Sequence, residues 1–467
     1  MSETKQKGLN IGAKSFITAI AVIFLLMVAT YILTIFVPAG EYARVEDANG
    51  NLIIDIEGGF KYVQGGIPFW KWLLSPVLVL GAAGNGALIA VIAFLLVIGG
   101  IFSALDKCGF IKYMLDKLTH RFGGARYRLM LVLAFFFMAL GALVGSFEEC
   151  VPLVPIVVAL AVRLGWDVMT GLGISLLAVG CGFASGVCNP FTVGVAQQLA
   201  GLPMFSGIWL RLVAFVLIYA LLAGFLYLYA KRVEKPIVQE EIAAFEKNVK
   251  LDRALIWFAC IFGVGIATIL CSSFLPALQD YTMIIVAVTF LAAGIVSTLV
   301  AGMSWKDLGK TSLQGVMGIL PAVLMILMAS SIKYTMEEAK ILDTVLFGAV
   351  GLAETLPKWT VILFIYLIVL VMNFFISSGS AKAFMLIPII QPLAQIFGIS
   401  PQLCIVAFAF GDGFSNVFYP TNAALLISLG LAGVSYGKWV KYSWKFQLLN
   451  LLLTSLILLF GLAVGYC

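Results

Sequence analysis

Apolar residues run along this chain in stretches broken by short polar interruptions, and the lengths of the stretches carry the first information. The uninterrupted run Phe16 to Val37 exceeds the roughly 20 residues a membrane-spanning helix needs, and similar runs predict spans at about 76–105, 208–230, 254–274, 281–301, 312–332 and 444–465. Two regions depart from this pattern. Residues 129–145 and 151–163 flank Glu148-Glu149, and the second piece is too short to cross a bilayer, so 129–163 is predicted to be a re-entrant hairpin with the two glutamates at its tip. Residues 359–377 and 385–397 flank Ser377 to Lys382 and predict a second hairpin, 359–397. Each hairpin is followed by a long apolar run with a polar break, 168–200 at Cys188-Asn189-Pro190 and 401–431 at Tyr419-Pro420-Thr421-Asn422. Non-helical backbone at membrane depth persists only where it is buried in protein or lines a wet cavity.

The two hairpin-and-break units are in register. A shift of 233 pairs Pro155 with Pro388, Gly165 with Gly398, Gly180 with Gly413 and Asn189 with Asn422 without a gap. The chain therefore divides into a first span and outer hairpin (1–75, with a turn at Asn49-Gly50-Asn51), repeat 1 (76–230), a linker loop with two spans (231–311) and repeat 2 (312–467). Basic residues concentrate between Asp106 and Arg128, predicted as an amphipathic surface helix, and at Lys231-Arg232, Ser304 to Lys310 and Lys438, Lys441 and Lys445. The positive-inside rule puts these loops and the N-terminus, with Lys5, Lys7 and Lys14, on the cytoplasmic side. On that assignment the hairpins enter from opposite faces. The repeats are inverted, as in alternating-access carriers, and paired interruptions of this kind mark a transporter's binding site.

Composition agrees and excludes other classes. The chain is 62% hydrophobic and 11% charged, so it reads as an all-α polytopic membrane protein. The net charge of +6 acts as a topology signal, and no nucleic-acid partner is expected. Its 8 cysteines lie mostly in apolar runs without CxxC spacing, and His120, the sole histidine, falls in the basic segment. Walker A, HExxH and G-x-S-x-G motifs are missing, so no enzymatic activity and no cofactor are expected, and transport has to be driven by a gradient or by exchange.

Candidate chemistry follows from polar residues that an apolar segment would otherwise exclude. Glu148 and Glu149 each cost roughly 2.5–3.5 kcal/mol near the bilayer centre on insertion scales, and Asp412, between Gly411 and Gly413, is a third carboxylate of the same kind. Lys382 stands 233 residues beyond Glu149, so the two hairpin tips could be joined by that ion pair alone; the alternative is that they hold ligand. Asn189, Thr421 and Asn422 at the breaks, Ser378 and Ser380 at the second tip and Asn416 beside the second break offer neutral donors and acceptors; they also suit the lesser role of satisfying backbone groups freed by the prolines. Three carboxylates against one lysine favour a ligand or co-ion of net positive charge. A cationic amino acid fits, with its α-carboxylate on Lys382 and helix N-termini and its cations on Glu148, Glu149 and Asp412. No metal site is assigned; a coupling sodium would sit near Glu149, Asn189 and Asn422 and would reopen the case for an anionic substrate.

The motifs P-A-G-E-Y (38–42), G-S-F-E-E-C-V-P (145–152), C-N-P-F-T (188–192), S-S-G-S-A-K-A (377–383) and G-D-G-F-S-N with Y-P-T-N (411–422) span nearly the whole chain. Together they resemble the YfcC-type carriers, which belong with the anaerobic C4-dicarboxylate carriers in the ion transporter superfamily. The resemblance implies a bacterial inner-membrane secondary carrier and a homodimer, with a scaffold and a mobile domain moving as an elevator. It also implies either arginine/ornithine-type exchange or, as the alternative, sodium- or proton-coupled symport of C4-dicarboxylates or other carboxylates. The Ser-Asn-Thr pairs typical of sodium-dicarboxylate relatives are replaced here by Cys188-Asn189-Pro190 and by Ser378-Gly379-Ser380.

Overall fold

A leading apolar helix, α1 (Ala13–Phe36), gives way at Pro38 to an antiparallel strand pair, β1 (Gly40–Glu46) and β2 (Leu52–Tyr62), in a computed structural model that describes residues 13–46, 52–82, 86–145, 147–235, 247–272, 282–353 and 356–467. The strands form a hairpin, as expected for this stretch, and shift register between Tyr42 and Ala43; the Asn49-Gly50-Asn51 turn and the N-terminal Lys5 and Lys7 lie outside the described residues. Asp343 fastens the hairpin to the body by accepting from the Tyr42 N–H at 3.0 Å and pairing with Arg44 at 2.9 Å.

The rest is helical. Described in order are α2 (Gly86–Lys107), α3 (Phe110–Phe122), α4 (Arg126–Leu143), α5 (Val154–Arg163), α6 (Val168–Leu172), α7 (Ala178–Ser185), α8 (Val195–Leu199), α9 (Ile208–Val233), α10 (Val249–Ser272), α11 (Thr282–Val300), α12 (Trp305–Glu338), α13 (Leu342–Ala353), α14 (Lys358–Phe375), α15 (Gly379–Ile396), α16 (Pro401–Asn416), α17 (Ala423–Leu431) and α18 (Tyr436–Ala463). Among the described residues, seven helical segments are long and apolar enough to cross a membrane. The chain is a polytopic all-α membrane protein.

Several boundaries differ from the pattern-based reading, each for a local reason. The second span starts at Gly86 and not at 76, because Ser75-Pro76 opens a separate short helix, Ser75–Leu78, that ends in a tight turn at Gly81. The basic segment is not one surface helix. Gly109, in the left-handed region at φ 77, separates α2 from α3, and the turn Gly123–Ala125 separates α3 from α4. Ser304 accepts from the Asp307 N–H at 3.2 Å and caps α12 at residue 305, which draws Lys306 and Lys310 from the expected loop onto the helix. Likewise α18 begins at Tyr436, so Lys438, Lys441 and Lys445 lie on its first turns. Residues 236–246 of the polar linker are outside the described set.

Two sets of helices pack mainly within themselves. One comprises α1, α2, α10, α11 and α12; the other comprises α4, α6, α7, α9, α14, α16 and α18, with α15 and the short α8. Small residues bring the first set together: a Cβ on Gly315 of α12 would fall 2.2 Å from the Gly99 carbonyl oxygen of α2. The candidate residues lie in the second set.

Candidate functional site

Helix α16 is buried along nearly its whole length, and Asp412 sits in its last turns with 0% exposure. Glycines on either side let three helices converge there. A Cβ on Gly411 would meet Val369 of α14 at 2.7 Å, and one on Gly413 would fall 2.1 Å from the Ala184 Cα of α7. The Asp412 carboxylate is neutralised on one side: Lys382, equally buried in the first turn of α15, donates to Oδ1 at 2.6 Å. Lys382 also donates to the Ile376 carbonyl at 3.1 Å and to Asn373 Oδ1, which commits the three protons of its ammonium.

Asn373, in the last turn of α14, ties this centre to the second break. Its amide nitrogen donates to Ser415 Oγ at 2.6 Å and Asn416 Oδ1 at 3.0 Å and reaches the Asp412 carbonyl at 3.1 Å. Asn416 Oδ1 accepts a further hydrogen bond from Asn422 Nδ2 at 3.2 Å, and Asn422 Oδ1 caps α17 by accepting from Leu425 N–H at 3.1 Å.

The first break is built the same way with one partner missing. Asn189 Oδ1 accepts from Phe191 N–H at 2.9 Å and Thr192 N–H at 3.3 Å, so both asparagines perform the backbone-satisfying role, but Asn189 Nδ2 is buried without a partner. Phe183 stands at the position 233 residues before Asn416 and supplies no acceptor. The turn after α4 closes over this break. Gly145, at φ 74, leaves room for Asn189 Oδ1 only 2.3 Å from where its Cβ would stand, and the Cys188 N–H donates to the Ala142 carbonyl at 3.0 Å. Glu148 opens the tight helical turn Glu148–Leu153, and its carboxyl lies within electrostatic reach of Asp412.

Gly379, the first residue of α15, joins the two halves. A Cβ there would meet Thr192 Cγ2 at 2.5 Å and Asp412 Oδ2 at 2.7 Å. Four buried polar atoms in this neighbourhood and its matching break have no partner, namely Asn189 Nδ2, Thr192 Oγ1, Asp412 Oδ2 and Thr421 Oγ1. Buried polar groups are normally paired, so such orphans need a physical account. The structure thus brings together Glu148, Asn189, Lys382, Asp412, Asn416 and Asn422. Ser378 is exposed and caps α15 through the Ala381 N–H at 3.5 Å, while Ser380 is half-buried and makes none of these contacts. The Glu149 side chain lies outside the described residues. Lys382 pairs with Asp412, 30 residues away in sequence, and is correspondingly not free to receive a ligand carboxylate here.

Residues not singled out from sequence form a buried polar knot around Arg211, Gln197 and Gln402, with Gln197 Nε2 donating to Gln402 Oε1 at 3.0 Å. Only the presence of an arginine and two glutamines near the ends of apolar runs could have pointed to them.

The family described as C4-dicarboxylate anaerobic carrier (DcuC) matches residues 16–463. The chain belongs to that family. The carrier is 30% identical to YfcC of Escherichia coli (strain K12) over 411 residues, covering 82% of this chain and 79% of the relative, whose name assigns it provisionally to basic amino acid antiport. It is 25% identical over 374 residues to an uncharacterised protein of Haemophilus influenzae, covering 75% and 71% of the two chains. Among solved structures it is similar to the YdaH transporter of Alcanivorax borkumensis (TM-score 0.47, 18% identity, 97% of this chain and 99% of that one). A similar match is MtrF of Neisseria gonorrhoeae, from a class described as antimetabolite efflux pumps (TM-score 0.48, 16% identity, 94% of each chain). The carrier is a multi-pass membrane transporter and not an enzyme.

Proposed function

We propose that this carrier exchanges basic amino acids of the arginine/ornithine type across the bacterial inner membrane. The observation that carries the reading is Asp412: one carboxylate oxygen is held by Lys382, and the other is buried and unpartnered. A buried carboxylate oxygen without a partner is a place for an ammonium or guanidinium group, since paired and hydrogen-bonded charge is what a buried site tolerates. The name of the YfcC relative points the same way.

The transport cycle is alternating access by inverted repeats, 76–230 and 312–467, with re-entrant hairpins 129–163 and 359–397 and broken helices 168–200 and 401–431. Reciprocal contacts support this reading. Gly180 faces Val417, while Gly413, its partner under the 233-residue shift, faces Ala184, the partner of Val417. Such a pattern is what a two-fold-related pair of elements makes. The helix set around the site moves as an elevator against the α1, α2, α10, α11 and α12 set, in a homodimer whose N-terminus faces the cytoplasm.

Counterflow in proteoliposomes tests the function. Vesicles loaded with unlabelled ornithine are expected to take up labelled arginine with sodium removed and all ion gradients collapsed. The family description favours a second reading, carboxylate symport. Absent arginine uptake, together with dicarboxylate entry driven by a sodium or proton gradient, would establish that reading instead and make Asp412 and Glu148 the coupling-ion site.

A further inference from the structure

We infer that Arg211, together with the side-chain amide of Asn189, receives the carboxylate of the substrate. This rests on the amino acid reading above and assigns it a residue that the sequence pattern did not single out. Arg211 lies in the first turn of α9 and is 0% exposed. Its Nη2 donates to the carbonyls of Phe205 at 3.1 Å and Ser206 at 2.8 Å, while Nε and Nη1 are buried without partners. Among the described residues no carboxylate pairs with it. A buried cation left without a counter-charge is costly by several kcal/mol, so a site that retains one is suited to an anion brought from outside.

The place of the guanidinium fixes which anion. Arg211 donates to the Phe205 carbonyl at 3.1 Å, and a Cβ on Gly194 would meet the Phe205 ring at 3.7 Å and the Asn189 carbonyl oxygen at 3.8 Å, so the loop that holds the guanidinium packs on the segment that follows Cys188 in the first break. Asn189 Nδ2, the donor left over because Phe183 replaces the acceptor found in the second repeat, is therefore on the same stretch of unwound backbone. Beyond Asn189 come Thr192, then Gly379, then the free oxygen of Asp412. Spare donors thus gather at the Cys188 end and spare acceptors at the Asp412 end. A molecule with a carboxylate at one end and a cation at the other matches that polarity. Lys382 cannot serve as the carboxylate receiver while its three protons go to Asp412, Asn373 and Ile376. Counting Glu148, Glu149 and Asp412 against Lys382 and Arg211 leaves one net negative charge, complementary to the single positive charge of arginine or ornithine.

The test compares arginine with agmatine, which keeps the guanidinium and lacks the carboxylate. In binding measurements on the reconstituted full-length carrier, the wild type is expected to prefer arginine by about tenfold or more, the range of one charge-assisted hydrogen bond. Arg211→Gln should lower arginine affinity to the agmatine level and leave agmatine unchanged, with Arg211→Lys intermediate. Equal arginine affinity in Arg211→Gln and wild type, or parallel loss of both ligands, overturns the assignment. A readout that leaves Arg211 in place is the alkylation rate of Cys188 in a carrier retaining only that cysteine. Arginine should slow it and agmatine should not; equal effects of the two ligands count against the site. Succinate separates this inference from the amino acid reading. If the wild type binds succinate and not arginine, and Arg211→Gln abolishes succinate binding, the carboxylate site stands and the amino acid reading falls. Succinate binding that survives Arg211→Gln removes both.

Discussion

Asp412 and Lys382 show what a single residue position can reveal from sequence. Both stand out as charges inside apolar runs, but their partnership does not, because they lie on different elements and the 233-residue register points Lys382 to Glu149. Fold geometry decides it: Gly411 and Gly413 let α16 approach α14 and α7 closely enough to put the carboxylate beside the first turn of α15. Breaking a buried pair strands the remaining charge, so Asp412→Asn is expected to cost about 3–5 kcal/mol. The measurement is the thermal unfolding midpoint in detergent. The double variant Asp412→Leu with Lys382→Met should recover most of that stability and still show no counterflow; recovery of transport would reduce the pair to a structural tie. Glycine position offers a cleaner contrast. Gly413→Ala drives a methyl into the Ala184 backbone, whereas Gly437, on α18, has open space around it. Gly413→Ala should abolish recovery of folded carrier, and Gly437→Ala should leave it unaltered.

At the level of elements, the helix breaks were legible because Asn189 and Asn422 interrupt apolar runs at matched positions, each with a proline close by, and polar residues there have few other uses. Helix ends were less legible where a local cap overrode the apolar pattern, as Ser304 does for α12. Hydrophobic periodicity reports the buried stripe of a helix and not the cap that starts it. Asn422 separates the two duties of a break residue, since its oxygen caps α17 and its nitrogen reaches Asn416. Asn422→Ala loses both and should cost about 1 kcal/mol from the cap alone. Asn422→Asp keeps the cap acceptor and loses the donor, so it is expected to unfold at a higher temperature than the alanine variant while remaining impaired in counterflow. Equal stability of the two variants would mean that the cap contributes nothing.

For the whole molecule, the 233-residue register was legible and the packing of the matched segments was not, because apolar residues on every face of a membrane helix leave few constraints on which neighbour it meets. What the three-dimensional arrangement adds is the crossing of α7 and α16, where Gly180 meets Val417 and Ala184 meets Gly413, so that each half contributes the same two positions. If that crossing lies on a two-fold axis in the membrane plane, the hairpins have to open toward opposite sides. Arg128, near the start of α4 at the base of the first hairpin, and Lys358, at the start of α14 at the base of the second, are both exposed and serve as reporters. In a background without native cysteines, Lys358→Cys should react with a membrane-impermeant maleimide in intact cells, and Arg128→Cys only after permeabilisation. Labelling of both in intact cells, or of neither, would place the two hairpin bases on one side. The repeats would then be parallel, and the alternating access proposed from their inversion would lose its basis.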